Sequence, residues 1–218
     1  EEDFSEKIST EKICNFLGIN FYIINFSFDY WKDVFVYFLN EYKLGKTPNP
    51  DIMCNSKIKF NIFLEYSKYL GANFIATGHY AKINFFKNNY FMCNSFDIYK
   101  DQTYFLYNFF QFQLKYIIFP LYKYSKDFIR NLGLSVGLYN SIKKDSSGIC
   151  FVGKLDFRFF LKKYLSVCYG PVVNFLKNQI DIHDGIMFYT YGQKKKVNYG
   201  NFLPQYVYKK IFIGNILI

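Results

Sequence analysis

The sequence predicts a parallel α/β sheet with crossover helices, and three observations carry that prediction. Short apolar runs with β-branched centres, "FYIINF" (21–26) and "NFIAT" (73–77), alternate with amphipathic stretches long enough for helices. The order helix, strand, helix, helix, strand leaves crossover lengths between the strands. Capping residues and glycines mark where the helices start and stop.

Each element has its own warrant. Residues 9–17, "STEKICNFL", read as a helix capped by Ser9 or Thr10 and stopped by Gly18. Residues 21–26 read as a buried strand. Asp29 caps "YWKDVFVYFLNEYKL", whose apolar residues recur at helical spacing, and Gly45 ends it. "PNPD" (48–51) reads as an ordered, non-helical loop, because each proline pushes its predecessor away from the helical region. "NSKIKFNIFLEYSKYL" is the next helix, with Asn55 or Ser56 as cap and Gly71 as stop. "NFIAT" follows as a strand ending at Gly78-His79. "AKINFF" and "YFMC", either side of Asn88-Asn89, predict a hairpin. Residues 102–134 read as helical pieces broken at Pro120 and closed at Gly133. "LDFRFFLKKYL" (155–165) is a further amphipathic helix and "YGP" a turn. From Val172 onward the chain is β-like, with turns at Gly185, Gly192 and Gly200.

The chain has 218 residues, 51% of them hydrophobic, enough for a substantial core. Mean hydropathy is -0.05, and the apolar runs are too short to cross a bilayer. The acidic start "EEDFSEK" is not a secretory signal, and the missing initiator Met suggests a fragment. Net charge is +10, from 27 Lys+Arg against 17 Asp+Glu. Such an excess favours a polyanionic partner, most often nucleic acid. The wealth of Lys, Asn, Ile, Phe and Tyr has a second reading, drift under AT-biased codon usage. Five cysteines without a CxxC, and two separated histidines, argue against a disulfide scaffold and a zinc site.

Four stretches hold chemistry-bearing residues, three of them with a plain structural alternative. In "PNPDIMCN", Cys54 beside a helix start would gain thiolate character, and Asp51 would act as acid or base. Equally, Cys54 is a small buried hydrophobe and Asp51 a turn residue. In "IATGHY", at the carboxyl end of a strand, Gly78 would admit a nucleotide and His79 offer a polar contact. Equally, both belong to a turn. "KDQTYFLY" places Lys100, Asp101 and Gln102 at a helix start beside aromatics, as a nucleic-acid contact or as a plain cap. "KKDSSGIC" gives Cys150 a flexible, glycine-containing approach.

In this order and spacing, "GKTPNPDIMCNSKIKF", "IATGHYAKI", "KDQTYFLY" and "KKDSSGICFVG" closely resemble the tRNA-specific 2-thiouridylase family of bacteria and organelles. "YWKDVFVYFLNEYKLGKTPNPD" and "DGIMFYTYGQKKK" resemble its flanking segments. The resemblance implies a Rossmann-like sheet of the adenine nucleotide alpha-hydrolase (PP-loop ATPase) type, a helical tRNA-binding part and a small β-rich central domain. Residues 1–152 would form the catalytic domain and 153–218 the central domain. It implies ATP-dependent 2-thiolation of the wobble uridine, with magnesium accompanying ATP and no tightly bound metal. Its partners would be tRNA and a persulfide-donating protein, in the cytoplasm and away from membranes.

By motif, the resemblance makes Cys150 the persulfide carrier and Cys54 the nucleophile that frees the sulfur through a Cys54–Cys150 disulfide. Asn49, Pro50 and Asp51 would lie at the target base, with Asp51 as acid/base. Lys100, Asp101, Gln102 and His79 would contact tRNA, and Gly78 the nucleotide. Two departures stand out. The family's "SGGVDSS"-type phosphate loop is absent, so the chain as given is expected to be truncated at its N-terminus and unable to adenylate tRNA. Lys196 stands where the family usually has glycine. Two other classes remain, a non-catalytic tRNA-binding remnant and a thiol oxidoreductase.

Overall fold

The computed structural model describes residues 2–143, 157–195 and 204–218. In chain order the helices are α1 (Glu2–Leu17), α2 (Ser27–Tyr30), α3 (Val36–Lys43), α4 (Pro50–Met53), α5 (Phe63–Tyr69), α6 (Gln111–Leu114), α7 (Lys126–Ser135) and α8 (Phe157–Lys162). The strands are β1 (Ile75–Ala76), β2 (Lys82–Phe86), β3 (Asn89–Cys93), β4 (Ile117–Ile118), β5 (Gly170–Val173), β6 (Gln179–His183), β7 (Lys194–Lys195), β8 (Gln205–Tyr206), β9 (Lys210–Ile211) and β10 (Ile216–Leu217). Widened π turns over Trp31–Phe35 and Cys54–Ile62 join α2 to α3 and α4 to α5.

The chain forms two compact units. The first comprises residues 1–34 and 51–153, the second 35–50 and 154–218. In the first, β1 pairs with β4 in parallel, Ile75 opposite Ile117 and Ala76 opposite Ile118. A parallel pairing is therefore present, but its partner strand is one that the sequence reading had merged into helical pieces. Ile117 and Ile118 are β-branched but number only two, too few for a periodic signal. The core gathers Phe60, Leu64, Ile75, Ala81, Leu106, Ile117 and Phe119. The β2–β3 hairpin forms as expected, but its tight turn is Lys87-Asn88, with φ of 47° and 62°. Two successive positive φ values define the turn whose twist matches paired strands.

Several expectations fail for identifiable reasons. Residues 21–26 do not form a strand; Tyr22 and Ile23 are 77% and 60% exposed. Phe26 instead packs edge-on against Phe63 and Tyr66, with ring centroids 6.3 and 6.1 Å away. Helix α2 is opened by Asn25, whose Oδ1 accepts the Ser27 N–H at 2.8 Å, and not by Asp29, which lies inside the first turn. Thr10 bonds back to the Glu6 carbonyl at 2.9 Å in the interior of α1, so neither it nor Ser9 caps that helix. "PNPD" is only half a loop, since Pro50 and Asp51 open α4. Asn55 and Ser56 thus lie inside the helical run. Helix α7 passes through buried Gly133 and closes at Gly137, φ 81°. "YGP" begins β5: a side chain at Gly170 would crowd the Asn215 backbone and the His183 ring.

In the second unit, β6-β5-β10-β9 form one sheet, parallel only between β5 and β10, while β7 and β8 form a separate pair. Phe38 and Tyr42 pack against Phe157, and Phe35 against Tyr164. Burial disfavours the Asp184 carboxylate, but Lys162 and Arg158 outweigh it and hold its pKa below the ordinary value. Arg158 also donates to the Tyr189 hydroxyl at 2.8 Å. His183, 1% exposed, accepts from the Gly185 N–H at 3.1 Å and meets the Asn215 carbonyl at 2.9 Å. Those bonds select the neutral tautomer protonated at Nε2.

The helix kink at Phe60 gives a testable weak point. Phe60 adopts φ -106°, ψ 15° within the helical run, and its carbonyl accepts from buried Gln113 Nε2 at 2.7 Å. The other end of that amide accepts the Phe110 N–H at 2.9 Å. Gln113→Leu keeps the bulk but strands both backbone groups. The expected loss is about 2 kcal/mol of unfolding free energy by urea titration. A change within error would show that the kink needs no partner.

Candidate active site

The site is built at the start of the long helical run. Proline suits the first helical position, because its missing N–H is unneeded there and its φ is preset. Pro50 is buried, with Asn49 and Asp51 half-buried on either side. Cys54 begins the widened π segment and is half-buried. It thus stands one turn inside the helix rather than ahead of its start. Asp51, three residues earlier, faces the same side.

Asn55 is the residue that the sequence reading undervalued. It is 2% exposed, and its Nδ2 donates to the Phe105 carbonyl at 3.0 Å. Its Oδ1 is buried without a partner among the described residues. The available signal was its place four residues after Asp51, within a helix and not at its end.

The second piece lies at the carboxyl end of the parallel pair, where open sheets bind ligands. Gly78 is exposed, and a side chain there would meet only Leu121, at 3.9 Å. The backbone at Gly78 therefore has room for the base or sugar of a nucleotide. The sequence carries no glycine-rich loop to fit its phosphates. His79 is not a loose surface residue. Its Nδ1 lies 2.8 Å from Thr77 Oγ1, and its ring sits 5.7 and 5.9 Å from those of Phe60 and Phe119. Burial, reinforced by Lys59, lowers its pKa to about 4.

"KDQT" is the third piece. Asp101 Oδ2 accepts the Ser95 N–H at 2.7 Å, and Oδ1 accepts the Thr103 N–H at 3.1 Å. Gln102 and Tyr80 exchange two bonds, the Tyr80 N–H to Gln102 Oε1 at 3.0 Å and the Gln102 N–H to the Tyr80 carbonyl at 2.9 Å. Both side chains are thus spent on holding the loop, while Lys100 is exposed. The Phe105 N–H bonds the Gln102 carbonyl at 3.0 Å. A continuous chain Asn55–Phe105–Gln102–Tyr80 therefore joins the Cys54 helix, "KDQT" and "GHY".

Cys150 and Lys196 lie outside the described residues, so the expected approach of Cys54 and Cys150 is not addressed. Cys14 and Cys93 are half-buried. Cys168 is exposed, with Asn215 Nδ2 3.4 Å from its sulfur. Among the described residues no group of three His, Cys, Asp or Glu side chains could hold a metal ion. No helix there is long and apolar enough to cross a membrane.

His79 yields a pH prediction. Its folded pKa of about 4 is below the ordinary 6.5, so unfolding takes up a proton between those values. The stability from neutral His79 is whole above pH 6.5 and is lost as pH falls towards 4. The loss is at most roughly 3 kcal/mol, less whatever solvent screens. His79→Gln should flatten the acid limb of the stability curve measured by chemical unfolding; an unchanged limb would assign that proton elsewhere.

Comparison with known proteins identifies the family. A family model described as the tRNA methyl transferase HUP domain matches residues 2–154, and one described as the tRNA methyl transferase PRC-barrel domain matches residues 158–218. The tRNA-specific 2-thiouridylase MnmA of Alkaliphilus oremlandii is 42% identical over 219 residues, covering 99% of this chain and 59% of the relative. That of Blochmanniella floridana is 43% identical over 224 residues, covering 100% and 60%. MnmA 2 of Geobacillus kaustophilus is 46% identical over 200 residues, covering 91% and 53%. The chain thus spans about three-fifths of these relatives' length. With both family models matched in succession and this identity along the whole chain, it belongs to the tRNA-specific 2-thiouridylase family.

Proposed function

We propose that this protein serves ATP-dependent 2-thiolation of the wobble uridine of tRNA, with residues 1–152 as its catalytic domain and 153–218 as its central domain. The observation that carries the reading is the bonded chain from Asn55 to Tyr80. It gathers a cysteine one turn into a helix, an open glycine and a lysine-bearing loop beside one strand end. The name of the relatives supplies the reaction class.

A carbonyl oxygen on a pyrimidine is a poor leaving group. ATP, when bound with its magnesium, supplies the adenylate that turns the C2 oxygen of uridine into one. Gly78 gives the nucleotide room, and Asn49 and Pro50 hold the target base. The terminal sulfur of a Cys150 persulfide attacks C2, and the oxygen departs with AMP. The Cys54 thiolate then attacks the Cys150 sulfur. That forms a Cys54–Cys150 disulfide and breaks the bond to the transferred sulfur, which keeps the electron pair as the thiocarbonyl. Asp51 manages the proton at the base. A dithiol reductant reopens the disulfide, and a persulfide-bearing protein reloads Cys150. This redox cycle suits the cytoplasm.

Lys100 reaches tRNA directly from the loop, whereas Asp101 and Gln102 act by holding it. His79, neutral at physiological pH, offers a hydrogen bond and no charge. The label of the matching family models names methyl rather than sulfur transfer. The name of the relatives and the pair Cys54 and Cys150 favour sulfur.

Two measurements test the reading. Incubating the intact gene product with tRNA, ATP and a persulfide donor, then analysing nucleosides, should give 2-thiouridine and no methylated product. Cys54→Ser and Cys150→Ser should each lower that yield roughly a hundredfold or more, while Cys14, Cys93 and Cys168 tolerate serine. Full thiolation by Cys54→Ser would remove it from the mechanism. Separately, tRNA affinity should fall steeply as salt rises from 50 to 200 mM, through counterion release at phosphates. A flat affinity would assign the excess of lysine to codon drift.

A further inference from the structure

The segment leading into Pro50 is secured at its first residue. Helix α3 ends by bonding the Gly45 N–H to the Tyr42 carbonyl at 2.8 Å and the Lys46 N–H to the Glu41 carbonyl at 3.0 Å. This closure puts Gly45 at φ 72°, where glycine is favoured. Space demands glycine as well, since any side chain there would overlap the Phe212 ring. The Gly45 carbonyl accepts from Lys210 Nζ at 2.8 Å. Lys210, on β9, is 5% exposed, and its ammonium lies 5.3 Å from the centre of the Tyr191 ring.

A buried ammonium is costly even when it is hydrogen-bonded, and an apolar residue would fill the same volume more cheaply. Burial lowers the pKa of Lys210 accordingly. Its ammonium donates to the turn that closes α3, immediately before a stretch with two prolines, "KTPNP". Pro48 and Pro50 have no N–H with which to anchor that stretch themselves. At the upstream end of the stretch, the Gly45 carbonyl is held by Lys210.

We propose that Lys210 is a positioning residue for residues 46–50. Its ammonium bond to the Gly45 carbonyl, backed by the Phe212 ring, sets the path on which Asn49 and Pro50 meet the target uridine. This rests on the reading of Asn49 and Pro50 given above. The lysine touches neither tRNA nor the reacting atoms.

The test uses the intact gene product and compares Lys210→Met with Lys210→Gln, which keeps an N–H donor, and with Lys195→Met. Lys195 pairs with Asp181 in the same unit without touching Gly45, so its loss reports general destabilisation. In Lys210→Met, hydrogen exchange at the Lys46, Thr47 and Asn49 amides should rise roughly ten- to a hundredfold. The kcat for thiolation should fall with KM for tRNA nearly unchanged, and Lys210→Gln should recover part of both. Where Lys210→Met does not yield folded protein, Phe212→Leu loosens the same contact and should move the same amides. Equal loosening in Lys195→Met, or unchanged exchange in Lys210→Met, would overturn the proposal. Loosened amides with unchanged thiolation would overturn the positioning role and spare the anchor. Absence of thiolation in the parent protein would instead refute the functional reading, and the exchange data would still decide the anchor.

Discussion

Phe60 is the residue on which the first unit turns. Its ring sits at the centre of the core, touching both Phe109 and Phe119, while its backbone leaves helical geometry. A kink in the middle of a buried helix frees a carbonyl, and a buried carbonyl without a partner costs as much as a lost hydrogen bond. Gln113 supplies that partner from another element. One amide thereby couples the bend of the helix to the position of α6, and through the adjoining residues to β4. The parallel pair β1–β4 is only two residues long and would be marginal alone. Its stability comes from packing on Phe60.

The same bend sets the geometry of the candidate site. Widened turns are frequent at functional positions because they re-aim side chains that a regular helix would space evenly. Here they begin at Cys54 and run through Asn55 to the kink. Asn55 is turned inward to Phe105, and the ring of His79 rests against Phe60. The histidine and the cysteine helix are therefore positioned by one core residue. The Asn55 Oδ1, buried without a partner among the described residues, is a desolvation cost at the candidate site.

Much of this was legible in the residues. Gly18, Gly45 and Gly71 end helices as expected, and all three take positive φ. The β2–β3 hairpin and the strand before Gly78 were readable from apolar runs and turn residues. What failed was short or non-local. Ile117-Ile118 is too brief to show a period, and "FYIINF" has strand composition but no strand beside it among the described residues. Pro50 was misread because proline both ends and begins helices, and only the following residues decide. For the site, motif resemblance singled out Asp51, Cys54, Gly78 and His79. It did not reveal that Asp101 and Gln102 spend their side chains on backbone groups, since that depends on partners many residues away.

The lysines divide by what they face, and that division bears on the meaning of the net charge. Lys162 and Lys195 are matched to carboxylates, and Lys210 to a carbonyl, all within the second unit. In the first unit, Lys68 and Lys115 lie over Tyr116, and Lys82 and Lys123 over Tyr122. A lysine on an aromatic face keeps its full charge and has its stem ordered by the ring. Drift in codon usage adds lysines without regard to what they cover. Two tyrosines each flanked by two lysines, one just before β4 and one in the turn after it, form instead an arrangement in which charge and stacking surface alternate. Phosphates and bases call for that combination together. Each unit uses both devices, since Lys143 of the first also pairs with Glu6 and Lys163 of the second lies over Phe159.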